Sequence, residues 1–249
     1  MTRQEQEQLK QAEEEILQLR EKIREQDAFI RRTLGQYLTD EVAEEILQHQ
    51  DHPAVQGERR TVTMMFTDLR RSTQLSEEME PTDFIRMLNH YFGEMIEIIN
   101  AWQGNILEFV GDAIVAVFGA PRPNEEAASD AISSAVAMQR RMPAINEWNR
   151  QHGYPEIEMG VGIHTGEAIL GNIGSETRTK YDMIGRNVNL ASRIESFTRG
   201  GQILVSGETL AAASDVAIEN KEGAILVTPK GIREEVLLHD IIGAGSLRI

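Results

Sequence analysis

The sequence predicts an α+β domain with a ferredoxin-like, split βαβ core, preceded by a charged helical segment. Three observations carry this. From about residue 59, strand-like and helix-like runs alternate in the early order βαββαβ. Within that order, Ile106 to Phe118 reads as a β-hairpin, two runs of β-branched and aromatic residues broken by Gly111-Asp112. Ahead of it, residues 1–35 carry a heptad seam rather than a globular pattern.

Composition narrows the classes. At 249 residues, one globular domain plus an appendage is expected, and the hydrophobic fraction of 41% suits it. No apolar run approaches the roughly 18 residues of a membrane span. The polar start from Met1 to Glu7 leads into no apolar core, so no signal peptide is expected. Cysteine is absent, which excludes disulfides, thiolate metal sites and cysteine nucleophiles and suits a cytoplasmic protein. A net charge of −15 opposes nucleic-acid binding. An anionic substrate would need local positive charge, available at Arg70-Arg71, Arg178 with Lys180, Arg186, Arg193 and Lys230.

In chain order, Leu9, Ile16, Ile23 and Ile30 recur every seven residues, with Ala12, Leu19, Gln26 and Thr33 in the other core slot. Branched residues in the first slot favour a parallel two-stranded coil over 1–35. Gly35 interrupts the seam, and 36–57 reads as a connector: a short helix capped by Thr39 or Asp40, then a linker containing Pro53. The globular domain is expected over 58–249. It opens with strand 61–68 and a basic, hydroxylic turn, 69–73. Pro81 starts a helix whose apolar side carries Phe84, Leu88, Tyr91, Phe92, Met95, Ile96 and Ile99. After the hairpin, Asn124 is the expected cap of a helix that turns Ala131, Ile132, Ala135, Val136, Met138 and Met142 inward. Strands 156–163 and 166–173 are expected to meet at a turn, His164-Thr165-Gly166. A helix over 185–199, a strand at 202–205, a short helix from Ser206 and closing strands near 223–228 and 234–241 follow.

Two strands end in aspartate or turn on one: Asp68 closes the run from Thr61, and Asp112 sits at the hairpin tip. An aspartate at a turn is ordinary turn chemistry. Two of them at the ends of adjacent strands also make a hard-oxygen site for divalent cations, as phosphate chemistry requires. Asn189 and Arg193 are four residues apart and share a helix face.

Four ordered motifs, Phe66-Thr67-Asp68-Leu69, Phe109-Val110-Gly111-Asp112, Gly162-Ile163-His164-Thr165-Gly166 and Asn187-Val188-Asn189-Leu190-Ala191-Ser192-Arg193, resemble those of the class III nucleotidyl cyclases over roughly 58–242. The resemblance implies a homodimer with active sites at the interface and a purine nucleoside triphosphate as substrate. Asp68, Asp112 and the backbone of Leu69 would hold two Mg²⁺ or Mn²⁺ ions. Asn189 would orient the ribose and Arg193 would stabilise the transition state. Lys230 matches the lysine for the terminal phosphates, with Arg233 or Arg178 as alternatives. Ser72 and Thr73 would face phosphate, although Arg71-Ser72-Thr73 departs from the Gly-Phe that many members carry before the threonine.

The base-reading positions conflict. Glu108 stands where guanylate cyclases carry glutamate, and Asp182 stands where adenylate cyclases carry aspartate. Pairing of Glu108 with Lys180 or Arg186 would remove it from the base. The expectation is an adenylate cyclase, with guanylate cyclase or mixed specificity as the alternative. A non-catalytic nucleotide-binding regulatory module and a coiled-coil adaptor are the readings of other classes. The coil further predicts an input domain ahead of residue 1.

Overall fold

The computed structural model describes residues 10, 15–26, 28–29, 57–175, 178–231 and 234–249, with Arg178 described in its backbone alone. The chain divides into two compact units, Met1–His52 and Pro53–Ile249. In the first, 15–26 is helical, and the seam residues Ile16, Leu19 and Ile23 are each more than half exposed. The other apolar seam positions and the connector helix lie outside the described residues.

The second unit runs β1 (Glu58–Leu69), α1 (Ser72–Glu78), α2 (Pro81–Ala101), β2 (Gly104–Val110), β3 (Ala113–Phe118), α3 (Ala127–Gln151), β4 (Met159–Ser175) and β5 (Arg178–Ile184). It continues with α4 (Arg186–Glu195), β6 (Ile203–Ser206), α5 (Gly207–Ala212), β7 (Ile218–Asn220), β8 (Ile225–Val227), β9 (Val236–Ala244) and β10 (Leu247–Arg248). The sheet order is β10-β9-β6-β4-β1-β3-β2, with β5 on β4 and with β7 and β8 on β9. Its β4-β1-β3-β2 centre is antiparallel throughout and is the expected split βαβ arrangement.

One face of this centre meets α2 and α3. Met87, Tyr91, Met95 and Ile99 from α2 and Ile132, Ala135, Val136 and Met138 from α3 are fully buried there, against Met65, Ile114 and Phe118. The spacings explain this, because residues four apart return to the same side of a helix. The other face carries a smaller cluster of Val62, Met64, Val115, Val117, Leu170, Met183 and Ala191, where α4 packs. Among the described residues, no helix is long and apolar enough to cross a membrane.

Several expected boundaries change. His164-Thr165-Gly166 is no turn: β4 runs unbroken from Met159 to Ser175, and its residues 159–170 pair with β1. The glycines there serve close approach instead. A methyl group on Gly162 would lie 2.2 Å from the backbone nitrogen of Glu195, and one on Gly166 would lie 2.6 Å from Nδ2 of Asn187. Gly162 lets α4 approach almost backbone to backbone at Glu195, and Gly166 makes room for the Asn187 side chain, on either side of His164. The turn after Asp68 is shorter than expected, since α1 begins at Ser72 behind Arg71 in a left-handed conformation. Asn124 is not the residue at the cap of α3; it lies two residues earlier, accepts from the Glu126 N–H at 2.9 Å and donates to Asp130. The helix of 185–199 ends at Glu195, and β7 and β10 add short strands beside β9. Ser206 does cap α5, its side chain accepting from the Thr209 N–H.

A buried polar chain joins these pieces. His164 Nε2 lies 3.3 Å from Asn187 Oδ1, and Nδ1 lies 2.8 Å from Ser206 Oγ. Asn187 Nδ2 donates to the Glu167 carbonyl, so its Oδ1 is the acceptor and His164 carries its proton on Nε2. Nδ1 then accepts from Ser206. The first turn of α4 is thereby fastened to the middle of β4.

Candidate active site

Two clusters emerge from the predicted residues. The first forms where β1 ends beside the β2–β3 turn. Gly111 takes φ 65°, the left-handed conformation that closes this turn, and Asp112 follows it. The Leu69 N–H donates to Asp112 Oδ2 at 2.9 Å, which ties the hairpin tip to the end of β1 and sets Asp112 beside Asp68. Burial raises the Asp68 carboxyl above the ordinary aspartate value, and the neighbouring Asp112 charge raises it further against the pull of Arg70. The two carboxylates are therefore underneutralised by the chain itself.

Arg70 and Glu195 belong to this cluster and were not singled out from the sequence as a pair. The Arg70 Nη2 donates to Asp68 Oδ1 at 3.1 Å and to Glu195, and Nη1 donates to the Thr198 carbonyl at 3.3 Å. Burial raises the Glu195 carboxyl, with Arg70 opposing the effect. Only the position of Arg70, two residues beyond a strand-terminal aspartate, hints at the link. Its partner is 125 residues away.

The second cluster is electrostatic and lies farther along the α4 side of the sheet. A β-bulge in β2 decides it: Ile106 pairs with Ala116 but Glu108 pairs with Val115, so Leu107 is the extra residue. Strict alternation would put Glu108 on the same side as Ile106, over α2 and α3. The bulge instead puts it beside Val115, on the α4 side of the sheet. Across that face the β4–β5 arm, with Gly171 and Gly174 at φ 153° and 147°, brings in Lys180 and Asp182. Lys180 Nζ lies 2.7 Å from Glu108 Oε2 and 3.2 Å from Asp182 Oδ2. Asp182 Oδ1 also accepts from the Met183 N–H at 2.8 Å. Burial alone would lower the Lys180 ammonium, but its hydrogen bonds to Glu108 and Asp182 win and raise it. Arg186, the other expected partner of Glu108, pairs with Glu234 at 2.6 Å instead.

Asn189 and Arg193 lie on α4, both exposed. No hydrogen bond or ion pair joins them to the aspartates. Ser72 and Thr73 open α1, where the side chain of Arg71 provides no cap, which leaves first-turn N–H groups for an anion. Lys230 is exposed in the turn after β8, without a bond to the other candidates among the described residues. The side chains of Arg178 and Arg233 fall outside the described residues.

The donor chemistry fits a divalent cation. Asp68 and Asp112 supply hard oxygens, and their mutual repulsion is what a bound dication would relieve. Among the described residues no group of three or more acidic, histidine or cysteine side chains gathers, so these two carboxylates and the nearby backbone constitute the site.

The arrangement is a split βαβ sheet with Asp68 and Asp112 together at the end of β1 and the β2–β3 turn, and with Asn189 and Arg193 on the helix after β5. Residues 55–240 match the adenylate and guanylate cyclase catalytic domain, and the chain belongs to that family. Over 187 residues it is 34% identical to adenylate cyclase 1 of Rhizobium meliloti (strain 1021), covering 74% of this chain and 28% of that protein. Among solved structures it resembles the guanylyl cyclase Cya2, at 42% identity and TM-score 0.75 over 78% of this chain and 99% of that one. It also resembles the adenylyl cyclase CyaB from P. aeruginosa, at 35% identity and TM-score 0.70 over 76% of this chain and 97% of that one. The chain spans 28% and 37% of the length of the first two curated relatives it matches.

Proposed function

We propose that the domain converts ATP to 3′,5′-cyclic AMP and pyrophosphate as a homodimer. The observation that carries ATP over GTP is the Lys180–Glu108 ion pair at 2.7 Å. It occupies the carboxylate that would otherwise read guanine, and it leaves Asp182 a lone pair for the adenine 6-amino group. GTP is the second reading, favoured by the 42% identity to a guanylyl cyclase.

In this reading Asp68, Asp112 and the Leu69 backbone carbonyl would hold two Mg²⁺ or Mn²⁺ ions. When bound, the ions lower the pKa of the ribose 3′-hydroxyl and neutralise charge on the α-phosphate and pyrophosphate. Asn189 orients the ribose, so that the 3′-oxygen attacks the α-phosphorus in line as the bond to pyrophosphate breaks. Arg193 places fixed guanidinium donors against the charge that builds in the transition state. The first-turn amides at Ser72 and Thr73 receive phosphate oxygens, and Lys230 or Arg178 meets the terminal phosphates. Asn189 and Arg193 are exposed and bond to no side chain among the described residues, which supports completion of each site by the second protomer. The seam of 1–35 would join the two chains in parallel, and the connector 36–57 would pass on an upstream input.

The test is product formation by the purified chain with Mn²⁺ and ATP or GTP. Cyclic AMP should dominate, and Asp68→Asn or Asp112→Asn should lower turnover by at least about a hundredfold while the fold persists. Full activity in either variant would sink the two-metal assignment.

A further inference from the structure

Asp68 and Asp112 each give one carboxylate oxygen to the chain. Asp112 Oδ2 accepts from the Leu69 N–H at 2.9 Å, and Asp68 Oδ1 accepts from Arg70 Nη2 at 3.1 Å. Among the described residues, Asp112 Oδ1 and Asp68 Oδ2 make no hydrogen bond or ion pair. We propose that Arg70 is a positioning residue for the metal site: held by Glu195 and Thr198 at the end of α4, it takes Asp68 Oδ1 and leaves Oδ2 turned to the cation. This role rests on the two-metal reading above and deepens it.

The guanidinium is itself fixed from several sides. Nη2 also donates to Glu195 and, at 3.2 Å, to the Asp68 carbonyl, while Nη1 donates to the Thr198 carbonyl at 3.3 Å. The Arg70 backbone N–H donates to the Glu158 carbonyl at 2.8 Å. Gly160 of β4 forms the floor of the slot. A methyl group there would lie 3.2 Å from Arg70 Cζ and would overlap Thr198 Oγ1. Two residues on, Gly162 seats the Glu195 backbone, so one strand carries both the guanidinium and its anchor. The Arg70 and Glu195 side chains are 22% and 13% exposed, against 41% for Asp68. The clamp is therefore enclosed, and the carboxylate it orients is open. Arg70 Nε is buried without an acceptor, a cost that the bonds of the two outer nitrogens offset.

A metal-binding carboxylate keeps its orientation when a second group holds its other oxygen. Asp68 needs such a hold, because the neighbouring Asp112 charge repels it. A lysine would balance the charge of Glu195, but it has no planar fork with which to meet Asp68, Glu195 and Thr198 together. The charges of Arg70 and Glu195 cancel, so the pair can orient Asp68 without adding net charge beside the cation.

Unfolding midpoints titrated with Mn²⁺ in the absence of nucleotide report metal affinity, each protein being referred to its own metal-free midpoint. Asp68→Asn supplies the background from other acidic groups. Arg70→Lys, and Arg70→Met combined with Glu195→Gln, both preserve the net charge of the cluster. The double variant also leaves no enclosed charge unpaired, which favours a folded protein. Each should bind Mn²⁺ about tenfold or more weakly than the unmodified chain. A merely structural clamp would lower the metal-free midpoint and leave the Mn²⁺ dependence as it was. A merely electrostatic one would leave the affinity unchanged, since the net charge is kept. Unmodified or tighter affinity in either variant would overturn the assignment while the two-metal reading stood. A Mn²⁺-dependent rise in the unmodified chain no greater than in Asp68→Asn would overturn the two-metal reading, and the assignment with it.

Discussion

Gly162 and His164 sit in one strand and serve one helix, by opposite means. At Gly162 the absence of a side chain is the function, since a Cβ would strike the Glu195 backbone at 2.2 Å. Gly162→Ala should therefore destabilise the domain by about 1–3 kcal/mol and reduce turnover, read by urea unfolding and by initial rates. Stability at the native level would mean that α4 can lift off at no cost. At His164 a ring fills the space. Burial holds its imidazole below the ordinary histidine value, against the raising effects of its Asn187 hydrogen bond and of Glu208. Protons thus bind more readily to the unfolded chain than to the fold. The contribution is complete above about pH 6.5 and is lost as pH falls through the folded-state value. Urea midpoints should fall between pH 7.5 and pH 5.5, and the fall should be smaller in His164→Gln. An equal fall in both proteins would place the acid sensitivity elsewhere.

At the scale of elements, the sequence was most legible where period and chemistry agree. The inward residues expected of α3, from Ala131 to Met142, are all buried, and so are Ser129, Asp130, Ser133 and Ser134 between and before them, because the first turns of this helix are covered on every side. Asp68 and Asp112 were legible as a pair because each ends or turns a strand and one backbone bond suffices to join them. Two features were not legible. His164-Thr165-Gly166 looks like a turn because glycine and threonine favour turns, yet the glycines there make room for α4 rather than bend the chain. The bulge in β2 left no signal either, since Ile106-Leu107-Glu108 alternates acceptably without it, and the register depends on its partner β3. Its effect is open to test: removing Leu107 should restore regular pairing and turn Glu108 toward α2. With Glu108 turned away from the base, no carboxylate remains on β2 to read guanine, and the ATP:GTP ratio of kcat/KM should shift further toward ATP. A ratio equal to that of the intact chain would show that the bulge is not what presents Glu108.

At the scale of the molecule, the separation of the aspartates from the Asn189–Arg193 pair, which no bond joins among the described residues, predicts complementation. In the proposed homodimer, Asp112→Asn damages the metal end of each chain and Arg193→Ala damages the helix end. Each variant alone should be inactive. Mixing them in equal amounts should restore about a quarter of the unmodified activity, since half of the dimers then hold one intact site of two. No recovery after exchange would place both residues in a site contained within one chain. The seam offers a separate test. Ile16→Asn with Ile23→Asn should weaken the dimer in sedimentation, at a protein concentration where the unmodified chain is paired. The seating of α4 on β4 has a mechanical corollary. Twelve residue pairs hold β1 to β4, and α4 is fixed to β4 by close backbone approach at Gly162 and by the His164–Asn187 hydrogen bond. Asp68 and the Asn189–Arg193 face are therefore parts of one stiff lever within a protomer. In the proposed homodimer, a torque delivered through the proposed coil would rotate the two levers against each other, and regulation would act as a change in alignment between protomers rather than as a change of shape within either.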